Sequence, residues 1–207
     1  MRLTLSRLIL LCLCCLLPSI STAQQQTILV FGDSLSAAYG MPREAGWVNL
    51  LQKELQNSHP HYQVVNASIS GETTAGGRQR IASALRQYRP AIVILELGAN
   101  DGLRGTPISD IESNLTMIMT QSLMGGAKIL LLGIQLPPNY GMQYTQRFSA
   151  LYLKLAKKYQ AALVPYMLEG ITRAQFQADN LHPSAAAQTK ILHTVREKLK
   201  PMLSKAE

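Results

Sequence analysis

Apolar residues fall along this chain in two alternating rhythms. Five short runs are nearly uninterrupted: Ile28 to Phe31, Tyr62 to Val65, Ala91 to Leu97, Lys128 to Ile134 and Ala161 to Tyr166. Short runs rich in β-branched residues mark strands buried on both faces of a parallel sheet. Between them the spacing changes to that of amphipathic helices. Trp47, Leu50, Leu51 and Leu55 share one helical face, and Ile81, Leu85 and Tyr88 share another, ended by Arg89-Pro90. A third helix is expected to use Thr106 as its N-cap, with Pro107 in the first helical position and Asp110 in the first turn. Its stripe is Ile108, Ile111, Leu115 and Ile118, and Gly125-Gly126 closes it. Phe148, Leu151, Tyr152 and Leu155 mark a fourth helix, and Ile191, Leu192, Val195 and Leu199 a last one. Strands alternating with helices mean βαβ units. The right-handed crossover rule then predicts an α/β fold, a three-layer α/β/α sandwich around a five-stranded parallel sheet.

The first residues follow a different pattern. Arg2 and Arg7 precede an apolar run from Leu8 to Leu17, then Pro18 and the small residues Ser21-Thr22-Ala23. This is the order of a secretory signal peptide cut after Ala23, and the run is shorter than the roughly 20 residues that span a bilayer. Residues 1–23 are therefore read as a cleaved signal and 24–207 as one domain, placing the protein in a bacterial periplasm or outside the cell. All three cysteines, Cys12, Cys14 and Cys15, lie in that leader, which excludes disulfides, zinc thiolates and a cysteine nucleophile from the mature chain. None of them follows the small residue that lipoprotein processing prefers. The net charge of +8 loses two arginines with the leader. The excess that remains serves solubility first and transient contact with anionic lipid surfaces second. No basic run interleaved with aromatics points to nucleic acid, and the chain is expected to be a monomer.

Four loops after strand ends carry small and polar residues. The first is Gly32-Asp33-Ser34-Leu35-Ser36, where a serine follows a buried strand at the edge at which open α/β sheets bind ligands. The second runs from Asn66 to Thr74, and its Gly71 lets the backbone come close to a ligand. The third, Gly98-Ala99-Asn100-Asp101, offers an amide that can face an oxyanion without competing for a proton. The fourth is Asp179-Asn180-Leu181-His182, whose spacing allows a carboxylate to orient an imidazole towards Ser34. His59, His61 and His193 sit in polar surroundings and read as solvated. No nearby carboxylate or cysteine completes a metal set around them, so no metal is expected.

These four blocks, in this order, resemble the SGNH (GDSL) hydrolases, particularly their bacterial periplasmic esterase and lysophospholipase branch. The similarity runs from about Thr27 to Pro201 and includes Leu103-Arg104-Gly105 and Leu136 to Gly141. It implies a flavodoxin-like sheet, a nucleophile at Ser34, a base at His182 and an orienting Asp179. The implied oxyanion hole combines the N–H groups of Ser34 and Gly71 with the side chain of Asn100. Leu103, Pro138 and Tyr140 are expected to shape an acyl-binding groove. The implied activity is hydrolysis of carboxylic esters and thioesters (aryl esters, acyl-CoA, lysophospholipids) through an acyl-enzyme. No cofactor is expected, since this chemistry has no redox step. A carbohydrate O-acetylesterase and a non-catalytic ligand-binding module of the same architecture are the alternatives. Ala38 and Ala99 stand where relatives often carry glycine; a positive φ at either would strain it and alter loop mobility.

Overall fold

The computed structural model describes residues 25–204. The expected signal peptide, residues 1–23, lies outside the described residues. Five strands, β1 (Gln26–Gly32), β2 (Tyr62–Asn66), β3 (Ile92–Glu96), β4 (Lys128–Leu132) and β5 (Ala162–Val164), form one sheet in the order β2-β1-β3-β4-β5. Every pairing is parallel. This is the doubly wound flavodoxin-like order, in which the chain leaves β1 for one side of the sheet and returns to the other. The reversal places a crevice at the C-terminal ends of β1 and β3.

The period of two along each strand divides the core. Leu29 and Phe31 of β1 face one layer together with Val93 and Leu95 of β3. That layer holds α2 (Thr74–Tyr88), α4 (Ile108–Met124) and α5 (Met142–Tyr159). Ile28, Val30, Ile92 and Ile94 face the opposite layer, made of α1 (Trp47–Ser58) and α6 (Gln188–Leu199). Helices on both faces bury the central strands β1, β3 and β4 almost entirely, which is why these read as nearly unbroken apolar runs. Trp47, fully buried, ties this second layer to the site: its indole donates to the Leu35 carbonyl at 3.2 Å and its backbone N–H to Gln188 Oε1 at 3.0 Å.

Three local expectations change. Thr106 does not cap α4: Pro107 occupies the cap with ψ 133° and the helix starts at Ile108. The extended ψ of Pro107 postpones the first helical residue, while Thr106 is held by its backbone, donating to Asp101 and accepting from Tyr144. The third loop is not purely a loop, because Ala99–Leu103 forms the short helix α3. His61 is also not solvated: both ring nitrogens are buried without a partner among the described residues, and the ring packs 4.6 Å from that of Tyr62.

Candidate active site

Three of the four loops start directly from strand ends at the sheet reversal, so the fold alone brings them together. Ser34 follows β1, and its Oγ lies 2.8 Å from His182 Nε2. His182 Nδ1 lies 2.6 Å from Asp179 Oδ2. A hydroxyl and an imidazole 148 residues apart are thus joined in one hydrogen-bonded chain ending on a carboxylate.

The turn that carries Asp179 and His182 is stabilised by its own backbone. Phe176 and Pro183 form an antiparallel bridge, and the Gln177 N–H donates to the His182 carbonyl at 2.8 Å. Asn180 takes the left-handed conformation at φ 55°, which asparagine tolerates better than most residues. Asp179 Oδ1 accepts from the N–H groups of His182 and Leu181 at 3.0 and 2.9 Å. These backbone donors, His182 first, and the imidazole hold Asp179 down to about 2 although it is exposed.

The nucleophile turn rests on buried acid instead. Asp33 and Glu96 are both fully buried. Glu96 Oε2 accepts from the Asp33 N–H at 3.2 Å and from the Ser36 hydroxyl at 2.8 Å. A Cβ on Gly32 would fall 2.7 Å from the same oxygen, so glycine is needed there for the close approach. Burial pushes Asp33 up to about 6, opposed by the Leu35 amide, Glu96, His182 and Asn100. Burial, and then the charge of Asp33, push Glu96 well above the carboxylate range. The lone acid ending the apolar run Ile92-Val93-Ile94-Leu95-Glu96 marks Glu96 as a buried acid without naming its partner, and sequence reasoning passed over it.

Neither the Ser34 N–H nor the Gly71 N–H has an acceptor among the described residues. Gly71 sits at φ 81°, with nothing within 4 Å of where a Cβ would stand. The Asn100 amide nitrogen donates to Asp33 Oδ2 at 3.1 Å and to the Glu72 carbonyl at 3.0 Å, which orients it between the first two loops. Of the two alanines, Ala38 is at φ 59° and carries the strain, whereas Ala99 is helical because Gly98 takes φ 121° before it.

A cavity of about 450 Å³ opens beside Ser34 and His182. Leu103, Leu136 and Pro138 line it, joined by Tyr166, Leu168 and Phe176, which sequence reasoning did not select. Tyr140 stands outside the lining and supports it from behind, its hydroxyl donating to the Leu103 carbonyl at 3.1 Å. The walls are mainly apolar, and Ser34, Asn100 and His182 are among the polar groups that line them. Among the described residues no three of His, Cys, Asp or Glu gather as a metal site.

A buried doubly wound sheet with a Ser-His-Asp chain at its reversal defines the class as hydrolase. The chain belongs to the GDSL-like lipase/acylhydrolase family, whose model matches residues 30–190. It is 50% identical over 183 residues to "Esterase TesA" of Pseudomonas aeruginosa, covering 87% of this chain and 91% of that protein. It is 40% identical over 184 residues to "Thioesterase 1/protease 1/lysophospholipase L1" of Escherichia coli, covering 88% and 87%. A crystal structure of TesA superposes with a TM-score of 0.84 at 49% identity, covering 86% of this chain and all of that one. The protein is thus a serine hydrolase of the esterase type, and the comparisons favour neither the O-acetylesterase nor the binding-module reading.

Proposed function

We propose that Ser34 attacks the carbonyl carbon of an ester or thioester and carries the acyl group through a covalent intermediate. His182 Nε2 takes the Ser34 proton as the new C–O bond forms, and Asp179 stabilises the resulting imidazolium. The Ser34 and Gly71 N–H groups receive the oxyanion, and the Asn100 amide joins them when one of its two N–H groups turns to the oxygen from Asp33 or the Glu72 carbonyl. His182 then gives its proton to the departing alkoxide or thiolate. Water adds to the acyl-enzyme, loses a proton to His182 and releases the acid as Ser34 regains its hydrogen. The observation that carries this reading is the unbroken Ser34–His182–Asp179 chain, at 2.8 and 2.6 Å.

The apolar cavity supports acyl chains longer than acetate, with Leu103 and Pro138 in its wall and Tyr140 as a brace. The names of the relatives extend the substrate range to thioesters and lysophospholipids. The protein is read as a monomer of one domain, residues 24–207, acting in the periplasm after loss of the signal. Leu181, 43% exposed at the cavity mouth, supports transient contact with lipid surfaces during turnover. The test is fluorophosphonate labelling together with a p-nitrophenyl ester series. Wild-type protein should label and prefer medium chains over acetate. Ser34→Ala should not label and should lose on the order of 10⁴-fold or more in kcat. Turnover retained in Ser34→Ala rejects the assignment.

A further inference from the structure

Hydrogen bonds hold the two edges of the His182 ring, to Ser34 on one nitrogen and Asp179 on the other, but they leave its faces open. Tyr39 packs against the ring, with centroids 4.4 Å apart and planes tilted by 38°. Its position is an expensive one for the chain. Ala38, immediately before it, is held at φ 59°, where a Cβ is disfavoured. Core burial does not account for the arrangement, since Tyr39 is 49% exposed and its hydroxyl has no partner among the described residues.

Tyr39 is held from both turns: its N–H donates to the Ser34 carbonyl at 3.3 Å, and its carbonyl is bound by the histidine turn. Gln177 Nε2 donates to the Tyr39 carbonyl at 2.8 Å and to the Pro183 carbonyl at 3.1 Å. The backbone N–H of the same residue donates to the His182 carbonyl. A Cβ on Gly40 would fall 2.2 Å from Gln177 Oε1, so glycine is what admits this bridge. One glutamine therefore fixes both the imidazole and the ring that covers it.

We propose that Tyr39 is a positioning residue whose ring face steadies the His182 imidazolium formed at each proton transfer. The proposal rests on His182 acting as the base. An aromatic face carries negative quadrupole charge and attracts a cation lying over it. Imidazolium forms in both acylation and deacylation, so the contribution enters kcat whichever step limits. Tyr39 is absent from the lining of the acyl cavity, so KM for a short ester has no reason to change.

The experiment measures kcat and KM on p-nitrophenyl butyrate for Tyr39→Phe, Tyr39→Leu, Tyr39→Ala and His182→Ala, with thermal melts of each. Leucine and alanine should lower kcat about two- to fivefold at unchanged KM, and phenylalanine should restore it. Melts should stay together. A leucine variant with wild-type kcat, or a loss confined to KM, overturns the role of the ring. A phenylalanine variant as slow as leucine overturns it too, because the hydroxyl would then be the active group. Activity retained in His182→Ala overturns the base assignment instead, and this proposal with it.

Discussion

The nucleophile turn, Gly32 to Ser36, and the histidine turn, Gln177 to Pro183, meet at one hydrogen bond but are held by different means. The first depends on distant, buried partners: Glu96 lies 60 and 63 residues from the two groups that donate to it. The second is local and half open to water, with Asp179 bound to the N–H groups of the residues two and three further on in its own loop. Their carboxylates titrate in opposite senses. Asp33, raised from the ordinary 3.8 to about 6, binds a proton in the folded protein that the unfolded chain has already released. Its contribution to stability is therefore largest on the acid side of that window and is lost as pH rises through about 6. Asp179, lowered to about 2, contributes stability above the ordinary carboxylate range, and loses it as pH falls towards 2. The buried turn is tied to the whole fold, whereas the exposed turn makes most of its hydrogen bonds within its own loop, where solvent screens the contribution of its carboxylate.

Asp179→Asn tests that separation with the largest effect. Asparagine keeps the side-chain oxygen that accepts from Leu181 and His182, so the turn should persist. Its amide would donate to His182 Nδ1, forcing the ring proton onto Nε2, where it can no longer accept from Ser34. The expected loss is on the order of 10³–10⁴-fold in kcat, with a melting midpoint close to wild type. A large fall in the midpoint would show that the histidine turn also carries global stability.

Glu96 tests the other side. Glu96→Leu removes the acceptor shared by the Asp33 N–H and the Ser36 hydroxyl, leaving two buried donors unpaired. Denaturant unfolding should show a loss of about 1–3 kcal/mol. Glu96→Gln keeps a carbonyl oxygen for both donors and should stay within about 1 kcal/mol of wild type. It should also flatten the fall in stability as pH rises through 6, because one of the two buried acids no longer titrates. Equal loss in both variants would mean that the carboxyl proton, rather than the acceptor geometry, holds the turn.

Much of this contrast is visible in the sequence only on the local side. Asp179 and His182 sit three residues apart, so spacing alone suggests that one orients the other. The five apolar runs likewise give the sheet, because a strand covered on both faces has no polar phase to hide it. Glu96 is different: its partners are set by the β1–β3 register that pairs Gly32 with Glu96, and no local pattern announces a pairing across a parallel sheet. Tyr39 was missed for a related reason, since its neighbour His182 arrives from a loop more than a hundred residues away. Proximity in sequence to Pro138 likewise says nothing about which side chain faces the cavity: Pro138 lines it, while the Tyr140 hydroxyl donates to the Leu103 carbonyl.

The smallest effect belongs to Ala38, which connects the two turns. Its φ of 59° sends the chain from the nucleophile turn out to Tyr39, where Gln177 of the histidine turn receives it. Alanine pays a Cβ penalty in that conformation, and glycine does not, but glycine also gives the unfolded chain more freedom to lose. The two terms nearly offset, so Ala38→Gly should stabilise the protein by no more than about 1 kcal/mol, read as a small rise in the melting midpoint. The Cβ of Ala38 lies 2.8 Å from where one would stand on Gly46, so glycine at 46 is what leaves room for it. If glycine instead lowers kcat while raising the midpoint, then the stiffness of Ala38 serves to keep Tyr39 over the imidazole, and the two turns are coupled through this one residue.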